Sequence, residues 1–274
     1  MKKIKRTGTV LLLWLLALQL AAQTGQPEQL TVPLSNPGKT YTLHIGILSG
    51  SIKVSGYPGK DIVIDVSTGD KSKKEPVAEE AGNGMKRIFP GSGYDVTATE
   101  DNNKVNISSS HNKHVILNVK IPQDVKLQLS TVNDGVIEVD NIKGELEINN
   151  VNGAIKLTGI SGSAVASTVN GNVIASFITA TDAVPMAFTT LNGNVDVTFP
   201  AGTKSNLKLR SDRGGIYTDF DIALEKAEQK VTRNTEAGMQ QIKIDDWILG
   251  KINGGGAEIM MKNMNGNIYV RKAK

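Results

Sequence analysis

The sequence predicts an all-β fold, specifically a single-chain parallel β-helix (β-solenoid) with coils of about 18–22 residues. Three observations carry this expectation. One motif recurs along the chain: an apolar residue, Asn, one or two glycines, then alternating apolar positions. The glycines of successive copies, Gly135, Gly153 and Gly171, are 18 residues apart, and later intervals (Gly171 to Gly193, Gly193 to Gly214) are 22 and 21. Between glycines the apolar residues alternate with polar ones, the period of a half-buried strand.

The copies read Val132-Asn133-Asp134-Gly135, Val151-Asn152-Gly153, Val169-Asn170-Gly171, Leu191-Asn192-Gly193, Ile252-Asn253-Gly254 and Met264-Asn265-Gly266, with a degenerate Asp212-Arg213-Gly214-Gly215. Gly144 and Gly162 fall midway between copies and open shorter strands of their own. The alternating pairs Ile137/Val139, Leu146/Ile148, Ile155/Leu157 and Val195/Val197 supply the apolar face. Asn-Gly is also a hairpin signal, so an antiparallel meander is the competing arrangement. Asn precedes the glycine only at every second turn, however, while Lys143 and Ser161 stand at the intermediate ones. A repeat of two unlike halves favours the solenoid, with Asn152, Gly153, Asn170, Gly171, Asn192, Gly193, Asn265 and Gly266 as structural corner positions. Asn side chains there can hydrogen-bond to neighbouring copies, and the glycines can adopt φ > 0. Glu138 and Lys156 fall at equivalent outward positions.

The N-terminus obeys different rules. Lys2, Lys3, Lys5 and Arg6 precede an unbroken apolar run, Val10–Leu18, which exits through Ala21 and Ala22. That pattern predicts a secretory signal peptide over 1–23; the run is shorter than the roughly 20 residues of a membrane span. A single β-solenoid domain is expected over 24–274, with a charged loop at 70–93, an excursion at 222–250 that holds one weakly helical stretch (Leu224 to Val231), and no integral membrane segment after signal cleavage. Residues before Tyr41 and the closing Arg271-Lys272-Ala273-Lys274 are expected to cap the two ends.

The four cations of the leader account for the whole formal charge of +4, so the remaining chain is formally neutral. Neutrality argues against nucleic acid as a partner and against a strongly anionic glycan. With no cysteine there are no disulfides.

The block Val119-Lys120-Ile121-Pro122, then Leu127-Gln128-Leu129, the serial V-N-G-x-I/V strands and the closing Asn265-Gly266-Asn267-Ile268-Tyr269-Val270 together resemble the bacterial putative-adhesin β-solenoid family, from about residue 40 to the end. The resemblance implies a parallel β-helix, a location in the periplasm or at the cell surface of a bacterium, and an adhesive role, with no catalytic residue to carry over.

Chemistry-bearing residues are sparse. His111 and His114 are three apart and would face opposite sides of a strand, and no HExxH accompanies them, so no metal site and no cofactor are expected. Glu138, Glu145, Glu147 and Asp196 are the acids that a glycan-active β-helix enzyme would draw on, since hydrolysis needs two carboxylates at a set separation. They are scattered singly along the repeat. Trp247, Arg210 and Arg213 are the groups best suited to contact, although Trp247 also suits a cap over the apolar interior. The expectation is a non-catalytic exported envelope protein, an adhesin or surface-binding scaffold for an unknown envelope or surface protein or glycan. A glycan-active hydrolase or lyase and a purely structural envelope protein are the alternatives.

Overall fold

A computed structural model describes residues 28–68, 80–81, 85–86, 95–109, 114–181, 183–225, 230–236, 239–245 and 247–274. The expected signal at 1–23, most of the charged loop at 70–93, and His111 lie outside them. The first strands are β1 (Glu28–Val32), β2 (Tyr41–Tyr57), β3 (Ile62–Thr68), β4 (Glu80–Ala81), β5 (Met85–Lys86), β6 (Val96–Asp101), β7 (Lys104–Ser109) and β8 (Val115–Pro122). The middle of the chain gives β9 (Asp124–Asn133), β10 (Ile137–Asp140), β11 (Lys143–Asn150), β12 (Ile155–Asn170), β13 (Val173–Ala180), β14 (Met186–Asn192) and β15 (Val195–Phe199). The last are β16 (Ser205–Ser211), β17 (Ile216–Thr218), β18 (Ile222–Glu225), β19 (Lys230–Glu236), β20 (Met239–Asp245), β21 (Ile248–Ile252), β22 (Glu258–Asn265) and β23 (Ile268–Lys272).

The all-β expectation holds: among the described residues there are strands and no helix. The expected single-chain parallel β-helix does not. β2, β9, β11, β12 and β10 each pair in parallel with the next, and β10 pairs back onto β2, closing a barrel of five parallel strands. Closure depends on the two longest strands. β2 gives residues 41–49 to β9 and 52–55 to β10, while β12 gives 161–167 to β11 and 155–158 to β10. A glycine with positive φ stands between the halves of each, Gly50 (φ +128°) in β2 and Gly159 (φ +65°) in β12, a backbone region that L side chains rarely enter. The 18-residue period correctly made Ile137, Ile155 and Val173 neighbours in parallel strands. It could not show that β2 pairs with segments 60 and more residues away, because local repetition records equivalence and not the order of segments in space.

Further strands extend the barrel. β13, β15 and β23 follow β12 on one side, and β14 and β22 follow it on the other. β22 and β23, the last strands of the chain, lie between β14–β15 and β16–β17. Arg271 and Lys272 therefore sit on an internal strand and not at an end. Antiparallel strands cover the edges: β3 pairs with β8 and in turn with β1, β6 with β7, and β21 with β16 and β18. The strands they flank are thereby paired on both sides, and β1, β6 and β18 are the outermost strands among the described pairings. Of the stretch expected to be weakly helical, Leu224 and Glu225 belong to β18 and Lys230 and Val231 to β19, which pairs with β20; residues 226–229 lie outside the described residues.

Most inward positions are apolar: Leu43, Ile45, Leu127, Leu129, Ile148, Ile155 and Leu157 are at most 1% exposed. Each such side chain is worth about 1.5–3 kcal/mol in burial. Where the walls leave more room, Phe177, Phe188 and Phe199 fill it, with Phe177 stacked on Phe199 at 5.2 Å between ring centres and Phe188 edge-on to both. No helix among the described residues is long and apolar enough to cross a membrane, which says nothing about a membrane β-barrel.

Candidate functional site

The corner motif builds the site's frame. Two residues before each Asn, an inward polar side chain donates to a glycine carbonyl on the adjoining strand. Thr131 Oγ1 reaches Gly50 O (3.1 Å), Asn150 Nδ2 Gly135 O (2.8 Å), Thr168 Oγ1 Gly153 O (2.9 Å), Thr190 Oγ1 Gly171 O (2.8 Å) and Asn263 Nδ2 Gly193 O (3.1 Å). These bonds satisfy carbonyls that would otherwise be costly to bury. The predicted corner asparagines form one continuous ladder: Asn170 donates to Asn152 (2.8 Å), Asn192 to Asn170 (2.7 Å), and Asn265 to Asn192 (2.7 Å). Arg213 extends it, donating to Asn265 Oδ1 at 3.4 Å. The glycines that follow are demanded by contact: a Cβ on Gly171 would lie 2.3 Å from Gly153 O, and one on Gly153 1.8 Å from Gly135 O.

Register turns the alternation of one face into three outward rows that cross the strands. The central row is Gly46, Ser130, Asn149, Ser167, Thr189 and Lys262, each beside the next, followed by Arg210. From Gly46 to Thr189 its members are short, and Thr189 Oγ1 donates to Ser167 Oγ at 3.0 Å. One flanking row holds His44, Gln128, Glu147, Val165, Ala187 and Met260, then Lys208. The other consists of the apolar residues that precede each Asn: Val132, Val151, Val169, Leu191 and Met264, all between 36% and 41% exposed. The short central row is thus the floor of a shallow groove between longer side chains.

Hollows lie along this face. One of about 510 Å³ is lined by Lys126, Gln128, Glu145, Glu147, Val165 and Pro185 among others. A smaller one joins His44, Gln128, Ser130 and Asn149. A third, of about 480 Å³, is lined by Thr168, Thr189, Leu191, Trp247, Lys262 and Met264 among others. Trp247 ends the groove, with Lys208 Nζ 5.0 Å and the Arg210 guanidinium 5.9 Å from its ring, within cation–π range. Arg210 also pairs with Asp212 at 2.7 Å. The contact candidates Trp247 and Arg210 thus meet at one end of the groove, and Arg213 stands beside the corner ladder. Sequence reasoning passed over Leu191, Met264, Lys262 and the Ser/Asn/Thr floor. The signal was present, since Val132, Val151, Val169, Leu191 and Met264 each precede the Asn of a copy at an outward position, while Ile252 of the remaining copy is buried.

The acids do not converge. Glu145 pairs with Lys126 at 3.2 Å, Glu147 accepts from Gln128 at 3.0 Å, and Glu138 pairs with Lys53 at 3.6 Å. Asp196 holds Arg271 through two bonds of 2.7 and 2.9 Å, on the wall that carries β15 and β23. Glu145 and Glu147 alone share a hollow. Among the described residues no three His, Cys, Asp or Glu side chains are grouped to hold a metal ion.

No family model matches the chain, and no curated protein matches it. Two solved structures are similar. A "putative cell adhesion protein" from Clostridium sporogenes aligns over 90% of this chain and 100% of its own, at 11% identity and a TM-score of 0.46. A "putative adhesin" from Bacteroides fragilis aligns over 91% of this chain and 98% of its own, at 10% identity and a TM-score of 0.30. Both neighbours are named for adhesion, and at these TM-scores neither likeness decides the fold or the ligand of this chain.

Proposed function

We propose that the protein is a non-catalytic, exported cell-envelope protein that binds a surface partner through the grooved sheet face. The observation that carries this reading is the register of that face: a floor of short polar side chains, a flanking row of exposed apolar residues, and Trp247 with Lys208 and Arg210 at one end. A rigid extended surface with amphipathic edges is what a binding protein uses. Export is supported by the cationic and apolar pattern of residues 2–22.

The competing reading, a glycan-active enzyme, has one observation in its favour: Glu145 and Glu147 line the same hollow. Each already has its own partner, which favours a solvated strand face over a paired acid and base. The test is to incubate the purified chain with envelope polysaccharides and measure both retention and release of fragments. Retention without release is expected. Fragment release that disappears in Glu145→Gln and Glu147→Gln would make the protein an enzyme.

A further inference from the structure

We infer that the groove takes one extended, weakly acidic polysaccharide chain, laid across the strands along the Ser130–Asn149–Ser167–Thr189 floor with a carboxylate-bearing sugar at the Lys262 end. This rests on the binding function proposed above and names its ligand class.

The floor decides the class. It is a line of hydroxyl and amide groups on neighbouring strands, spaced by about 4.8 Å, comparable to the length of one pyranose residue in an extended chain. Each of these side chains can both donate and accept, which suits sugar hydroxyls at every step. A peptide strand lying across the sheet would find no such match, because its own donors and acceptors seek a free backbone edge, and the floor crosses strands whose backbones are already paired on both sides. The apolar row of Val151, Val169, Leu191 and Met264 gives the carbon-rich faces of the rings a wall to lie against.

Charge decides the ligand's sign and its direction. At one end stand Lys262 and Lys208, with Arg210 shared with Asp212. Farther along, beside Asn149, stands Glu147, with Glu145 on the same strand paired with Lys126, and His44 lies beyond them. A densely anionic polymer would meet the glutamates, whereas a chain with occasional carboxylates can place one at Lys262 and pass sugar hydroxyls over the rest. Cation and carboxylate then form a charge-assisted bond beside Trp247.

Hyaluronan fragments are a suitable probe, being linear with one carboxylate in each disaccharide. Dextran serves as a neutral control and poly-glutamate as a polyanion without sugar. Binding of the full chain to immobilised hyaluronan is expected. Lys262→Glu, an exposed change, should weaken it by about tenfold, the effect of one lost charge-assisted contact. Ser167→Phe, which raises the floor, should do the same, and Lys156→Glu, on the other wall, should not. Circular dichroism checks that each variant keeps the wild-type fold, and Lys262→Glu remains decisive if Ser167→Phe does not. Equal binding of poly-glutamate and hyaluronan, or hyaluronan binding indifferent to Lys262→Glu, would overturn the groove assignment. Absence of hyaluronan binding, with retention on envelope material still sensitive to Lys262→Glu, would overturn the ligand class and leave the binding function standing. Absence of retention on any surface would overturn both.

Discussion

At the scale of single residues, position in the register outweighs chemical type. Gly171 and Glu147 differ completely in what they tolerate. Gly171→Val would drive a Cβ to 2.3 Å from a carbonyl of the neighbouring strand, so backbone must move. We expect a loss of about 1–3 kcal/mol in chemical denaturation, the usual cost of overpacking. Glu147→Gln should stay within about 0.5 kcal/mol, since its exposed carboxylate makes one hydrogen bond to Gln128. Equal effects would refute the contact that we assign to the corner. Tyr41 is the residue whose environment gives a pH dependence. It is 3% exposed and its hydroxyl donates to Pro122 O at 2.8 Å. Burial, with Tyr57 and Asp124 nearby, pushes its phenol well above the ordinary tyrosine value. Keeping the phenol neutral stabilises the fold fully below the unfolded value of about 10, and that contribution is lost as pH rises beyond it. Alkaline unfolding followed by fluorescence should begin above that pH and be shallower in Tyr41→Phe.

Strands in this chain are stable in groups, because each one's backbone is satisfied by neighbours far away in sequence. β22 and β23 are the clearest case. They supply both the partner of β14–β15 and that of β16–β17, so removing them leaves two unpaired edges inside the molecule. Deleting residues 258–274 should lower the urea midpoint and broaden or split the transition seen by circular dichroism. A truncated chain with an unchanged midpoint would show that β16 packs directly on β14. The same interdependence explains the antiparallel strands β3, β6 and β21, whose registers cover edges that the repeat itself cannot close.

For the molecule as a whole, the neutral charge of residues 24–274 bears on what it can bind. The formal charge of +4 is matched by the four cations among residues 1–23, so cleavage of the expected signal would leave interspersed charges and no broad field to draw polyanions. The exported protein should begin near Thr24. Mass spectrometry of envelope fractions that found an intact Met1 would refute the cleavage. Specificity then has to come from local arrangements such as the Lys262 end of the groove, where a few charges meet apolar surface.

Much of this was legible in the residues. Alternation of apolar and polar positions made the chain all-β, and the Val/Leu/Met-Asn-Gly copies marked the corner whose asparagines hydrogen-bond in series. Those features are local, and a period of two or of 18 residues can be read wherever it occurs. Tertiary structure decided the rest. It turned the expected β-helix into a closed five-strand barrel with added strands, placed the last two strands between earlier ones, and brought Trp247 to Leu191 and Met264. The reason is that pairing between parallel strands is fixed by shape and burial summed over the whole molecule. Equivalent repeats offer almost the same hydrogen bonds to several partners, so the sequence alone does not say which of them will be chosen.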